Sequence, residues 1–79
     1  VMATELETRI YMAMEKLPEQ CRLIFKLSRF EELKYAEIAE QLNLSIKTVE
    51  NQMGKALKIM REELKDYLPI LLVLMNGFI

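Results

Sequence analysis

From Thr4 to Tyr67 apolar residues recur every three or four positions, and residues that cap or break helices interrupt the rhythm at three places. Leu6, Ile10, Ala13, Met14 and Leu17 form the first stripe. Thr4 and Glu7 stand at its start with the spacing of a capping box, which predicts a helix over about residues 4–16. Pro18 stops that helix and suits the first position of the next, predicted over residues 18–30. Cys21, Ile24, Phe25 and Ser28 define its inward face. Leu23 and Leu27 stand partly off that face, so the helix is apolar over more than half its circumference.

Residues 33–64 organise the rest. Ile38, Ala39 and Leu42 share one face of a short helix over residues 35–42, and the small Ala39 allows a following helix to cross closely. Asn43 tolerates the left-handed conformation that a helix C-terminus often needs. Ser45 is a favoured N-cap, and Leu44 with Val49 has the spacing of a hydrophobic staple. Leu33 and Ile38 repeat that spacing around a helix start at Lys34. Two helix starts joined by one asparagine turn predict a helix-turn-helix. Its second helix is expected to run over residues 45–67, with Val49, Met53, Ala56, Leu57, Met60 and Leu64 as its core stripe.

The expected fold is therefore all-α, a small four-helix domain over residues 1–67 with a C-terminal helix-turn-helix of winged-helix-like type. Residues 68–79 form a separate apolar tail, in which Leu68-Pro69 breaks the helix and residues 70–75 are six consecutive apolar positions. That run is too short to span a bilayer. It is expected to be buried, either on the domain's own core or by pairing with another copy or a partner, which makes a homo-oligomer through the tail one expectation.

Composition narrows the chemistry. The chain has 79 residues, 52% of them apolar, with two glycines and two prolines, so long helices are favoured over disorder. One cysteine excludes an internal disulfide, and with no histidine neither a zinc cluster nor a catalytic constellation presents itself. Cys21 is read as a buried structural thiol. No metal, cofactor or enzymatic activity is expected, and the lack of a targeting pattern fits a cytoplasmic protein with no membrane partner.

Charge argues against tight autonomous DNA binding. Eleven basic and twelve acidic residues leave a net charge of −1. Residues 1–44 carry six basic against eight acidic residues and residues 45–79 five against four, so the slight basic excess falls on the half with the second helix of the motif. On that helix Lys47, Asn51, Lys55 and Lys58 recur opposite the core stripe, flanked by Thr48 and Glu50. Asparagine can pair with adenine through two hydrogen bonds, and lysine can reach guanine edges or phosphates. Taken alone, such a face also describes solvated surface; its place after a helix-turn-helix turn makes it a candidate DNA reader. The apolar surface of the second helix, around Leu23, Leu27 and Phe30, is either core or a partner-binding surface.

Residues 17–64 resemble region 4 of bacterial sigma factors, and are most similar to the extracytoplasmic-function (ECF) group. The resemblance is carried by Leu17-Pro18 with Arg22 and Phe25, then Glu37-Ile38-Ala39, then Ser45 with Lys47-Thr48-Val49-Glu50, then Lys55-Ala56-Leu57. It implies a last helix in the major groove of the minus-35 promoter element. Ile46, Lys47, Thr48, Glu50 and Asn51 would then face the groove, with Lys55 near the phosphates, and Ser45 and Lys58 complete the expected DNA-binding set. It also implies that the first helices, through Leu23, Leu27 and Phe30, hold the flap of the RNA polymerase beta subunit, and that an anti-sigma factor covers these surfaces in many relatives. Arg22 matches a family arginine with a structural or phosphate-facing role, whereas Lys34 departs from the usual Ser or Thr cap. A region 2 that melts the minus-10 element would precede such a domain, and Val1 is read accordingly as a fragment start. Two alternatives share parts of this pattern. One is the helix-turn-helix output domain of response regulators and quorum-sensing activators, which has the same Glu-Ile-Ala, Ser and Thr-Val core. The other is a helical interaction module that does not bind DNA.

Overall fold

A computed structural model describes residues 4–67, which form four helices: α1 (Glu5–Met14), α2 (Glu19–Arg29), α3 (Tyr35–Leu42) and α4 (Ile46–Glu63). The expectations for the Leu6 side chain and for the tail over residues 68–79 lie outside what it describes.

Local chemistry sets each helix start. Thr4 Oγ1 accepts from the Glu7 amide at 3.1 Å, and Glu7 Oε1 accepts from the Thr4 amide at 2.9 Å, closing the expected capping box. The Thr4 amide, and then its hydroxyl, hold the Glu7 carboxyl below the usual carboxylate range. The last turn of α1 tightens, with Lys16 N–H donating to Ala13 and Leu17 N–H to Met14, both at 3.0 Å. Pro18 sits at the N-cap of α2 rather than at its first helical position, because its ψ of 154° still carries the chain away from α1. Its carbonyl accepts the first bond of α2, from the Arg22 amide at 2.8 Å. The Arg22 guanidinium turns back to the carbonyl of Leu17 at 3.0 Å, so this side chain clamps the α1–α2 corner. Its 4.0 Å approach to Glu15, on the exposed side of that corner, adds little.

Past α2 the chain turns at Glu32, whose φ is 58°, and Leu33 N–H donates to the Leu27 carbonyl at 3.0 Å. At the start of α3, Glu37 Oε1 accepts from the Lys34 amide at 2.7 Å. Lysine carries no acceptor, so only this half of a capping box can form there. Asn43 then closes α3 in the left-handed region, at φ 56° and ψ 48°. Leu44 N–H reaches the Ala39 carbonyl at 2.8 Å and Asn43 N–H reaches Glu40 at 3.3 Å, the paired bonds of a Schellman turn. Leu33 and Leu44 are half-buried against the core, and Ile38 and Val49 are fully buried, as both staples require.

One core holds the helices together. Met14, Leu17, Cys21, Ile24, Phe25, Ile38, Val49, Met53, Met60 and Leu64 are its fully buried side chains, each large one contributing about 1.5–3 kcal/mol by burial. The α4 helix packs chiefly on α2 and α3 and less on α1, so it forms the wall that the others share. Leu57, expected in that stripe, is only half-buried at its margin. The helix also ends at Glu63, short of the expected residue 67. Leu64 is the last residue of the stripe to be buried, and Tyr67 N–H then donates to its carbonyl at 2.8 Å in a turn. That turn brings the Tyr67 ring beneath Arg9 of α1, with the guanidinium 6.0 Å from the ring centre. Cys21 is buried as expected, its thiol donating to the Gln52 carbonyl of α4 at 3.3 Å. Burial raises its pKa, and Lys55 partly offsets the rise.

Two substitutions test this account of the helix ends. Lys34→Ser supplies the missing acceptor at a backbone already in N-cap geometry, so stability measured by chemical denaturation should rise by about 0.5–1 kcal/mol. Asn43→Ala places an ordinary Cβ in the left-handed turn and should cost about 1–2 kcal/mol, whereas Asn43→Gly should not.

Candidate nucleic-acid interface and partner surface

The Ser45 backbone is extended, at φ −77° and ψ 155°, and its Oγ accepts from the Thr48 amide at 3.0 Å. The same oxygen donates its proton to Thr48 Oγ1 at 2.9 Å. Both hydroxyls are therefore engaged in starting α4, and Thr48 is half-buried. Ser45 is the expected N-cap of α4, and it remains exposed at the start of the face expected to bind DNA.

The remaining candidates share one side of α4. The buried stripe of Val49, Met53, Ala56 and Met60 fixes the opposite side toward solvent, and Lys47, Glu50, Asn51, Lys55 and Lys58 are all exposed there. At 3.6 residues per turn, Lys47, Asn51 and Lys58 run along the middle of this face, with Glu50 and Lys55 on opposite margins. Ile46, at the first helical position, is 48% exposed, an apolar group of the kind that meets a thymine methyl.

Two further features mark this face. The helices α1, α2 and α3 each carry glutamate in the first turn, where it complements the helix dipole; α4 carries none and has Lys47 there instead. Its first turn is thus doubly positive, from the lysine and the helix end, and suited to an anion. The second feature, which motif reading passed over, is Gly54. It lies inside the exposed face, three residues after Asn51 and four before Lys58. A glycine in a helix interior costs about 0.5–1 kcal/mol relative to alanine, and a Cβ at this position would meet nothing within 4 Å.

On α2 the structure divides the expected partner surface. Leu23 is 44% and Phe30 47% exposed, while Leu27 between them is half-buried against the core. The Phe30 ring stands edge-on to buried Phe25, with centroids 6.2 Å apart. One side of Phe30 is thus anchored while the other stays open to solvent. Arg22, whose structural role was one of two expected, reaches back into the α1–α2 corner. Tyr11 and Met12 on α1, each 58% exposed, were not singled out from the sequence.

With that geometry in place, comparison with known proteins is specific. Residues 7–60 match the family described as Sigma-70, region 4. The ECF RNA polymerase sigma factor SigW of Bacillus subtilis (strain 168) is 32% identical over 66 residues, covering 84% of this chain and 35% of that protein. The RNA polymerase sigma factor SigV of the same organism is 38% identical over 58 residues, covering 73% of this chain and 35% of that protein. The chain thus spans about a third of the length of these curated relatives. No solved structure matches it.

Proposed function

The chain belongs to the sigma-70 region 4 family, in its ECF group, and we propose on that premise that it is the promoter-recognition domain of an alternative sigma factor. In this reading α4 lies in the major groove of the minus-35 element, and α2 engages the beta-flap of RNA polymerase. The observation that carries it is the exposed face of α4, held outward by a fully buried stripe directly after the Asn43 turn. Asn51 in the middle of that face has the two-point chemistry that selects adenine, and Glu50 can accept from cytosine N4. Lys47, Lys55 and Lys58 supply phosphate contacts or guanine pairing. The Leu23–Phe30 surface lies on a different helix, which lets one domain hold polymerase and DNA together. An anti-sigma factor that covered Leu23 and Phe30 would compete with the flap for the same ground.

The chain's net charge of −1 limits how much affinity phosphate contacts can supply. Joining the domain to polymerase makes DNA binding intramolecular, at high effective concentration, and removes the need for tight autonomous binding. Free in solution at physiological salt, the chain should accordingly bind promoter duplex weakly.

Transcription by reconstituted polymerase from a promoter series tests the DNA assignment. Asn51→Ala should lose discrimination at one base pair, by about 1–3 kcal/mol. Lys55→Ala should weaken all sequences alike and reduce the salt slope by about 1. Identical base preference in wild type and Asn51→Ala would remove Asn51 from the groove. Leu23→Glu tests the second surface: it should reduce capture of the beta-flap in a pull-down while base preference and circular dichroism stay unchanged. Unaltered capture would mean that the flap sits elsewhere. Leu23 is the cleaner choice over Leu27, whose burial against the core makes a charge there a folding defect.

A further inference from the structure

We infer that Gly54 is a contact position of the DNA interface, where the missing side chain lets the α4 backbone close against the sugar–phosphate wall of the groove. The inference deepens the promoter-binding reading and rests on it. Three observations lead to it. Gly54 lies in the interior of α4, nine residues from its last residue Glu63, where glycine disfavours the helix. No internal reason for it exists among the described residues: α4 is continuous from Ile46 to Glu63, and a Cβ at Gly54 would meet nothing within 4 Å. A hinge, a tight helix crossing and a left-handed backbone are each excluded by those facts.

The third observation is what borders it. Asn51 lies three residues before, Lys58 four after, Lys47 seven before and Lys55 next in sequence, all of them exposed. Glu50, four residues before, is the one carboxylate at the edge of this rim, on the side away from Lys55. On the helix surface the bare backbone is bordered by Glu50 and Asn51 one turn before and by half-buried Leu57 and exposed Lys58 one turn after. Lys47 lies a further turn back along the same line, and Asn51, Lys58 and Lys47 are the side chains that a closely approaching polyanion would meet there. This setting does not fit an apolar partner, which would need exposed apolar neighbours to bury. A duplex presents that polyanion as a wall on either side of the groove, and a helix seated in the groove meets the wall through its flank. Gly54 lies on that flank, one turn beyond the base-reading Asn51. The glycine thus sacrifices helix stability for proximity, and the two properties should respond oppositely to a single methyl group.

The test uses the full 79-residue chain and a DNA duplex that the wild-type chain enriches from a random-sequence pool at low salt. Gly54→Ala should raise the thermal midpoint by about 2–8 °C, through restored helix propensity. It should also weaken binding to the enriched duplex by about fivefold or more, as overpacking a close contact does. Gly54→Gln, larger and equally uncharged, should weaken binding further with circular dichroism unchanged. Binding by Gly54→Ala equal to or tighter than wild type overturns the inference. So does a loss of binding that accompanies a loss of stability, because Gly54 would then serve the fold. Lys55→Ala and Asn51→Ala, run alongside, separate this from failure of the underlying reading. If Lys55→Ala weakens binding and Gly54→Ala does not, only the Gly54 inference falls. If Lys55→Ala and Asn51→Ala both leave binding unchanged, the promoter-binding reading falls and takes the inference with it.

Discussion

Everything in this domain depends on the burial of one stripe of α4. Val49, Met53, Ala56, Met60 and Leu64 are each at most 1% exposed, and they form the wall on which α2 and α3 pack. A helix rigidly bound along one side has no freedom about its own axis, so the side chains opposite are presented in a fixed direction. Affinity for a groove depends on that fixity, because side chains held in place before binding do not have to be ordered during it. The core and the exposed face of α4 are therefore one structural decision: a change of register in α4 would bury Asn51 and expose Met53 together. Ala56 and Ala39 keep this arrangement compact, each small and buried.

The Asn43 turn sets the other half of the geometry. Its left-handed residue and two backbone bonds to Ala39 and Glu40 end α3 within a single step, and Ser45 begins α4 two residues later. All of this was legible because the signals are local: Asn at a helix end, Ser at a helix start, and Leu placed to staple each. The buried faces of α2 and α4 were legible for a similar reason, since periodicity alone decides them. The Glu-Ile-Ala, Ser and Thr-Val positions did not by themselves distinguish a sigma factor from a response-regulator output domain. The match over residues 7–60 does. It includes the Leu17-Pro18, Arg22 and Phe25 approach, and the structure gives that approach a purpose, because Arg22 clamps the corner that Pro18 opens.

What sequence reading missed depends on contacts between distant residues or on geometry without a residue signature. Beyond the end of α4 at Glu63, Tyr67 lies beneath Arg9, a pairing 58 positions apart that no local pattern encodes. Glu32 adopts a φ of 58° although glutamate has no preference for it, because the chain must reverse between α2 and α3 in five residues. Leu27 and Leu23 look alike on a helical projection; only the neighbouring elements decide that one is half-buried and the other exposed.

Departures from local rules are most informative when sorted by where they fall. Lys34 at an N-cap and Glu32 in a left-handed turn lie in the α2–α3 connection and cost stability modestly. Lys47 in the first turn of α4 and Gly54 in its interior break rules of the same kind, but both fall on the one face that the core leaves free. A protein consistent across its levels concentrates its violations where function demands them. Lysine at the positive end of a helix is unfavourable in the free protein and becomes favourable once a phosphate lies against it. Glycine at position 54 is likewise unfavourable until something occupies the space where a side chain would stand. The same reasoning bears on the charge. A net of −1 leaves little general attraction to DNA, so the proposed promoter contact would draw on local positive charge, and α4 is where such charge is placed against the grain of helix stability. The domain is thus least optimised for folding along the surface where another molecule would complete it.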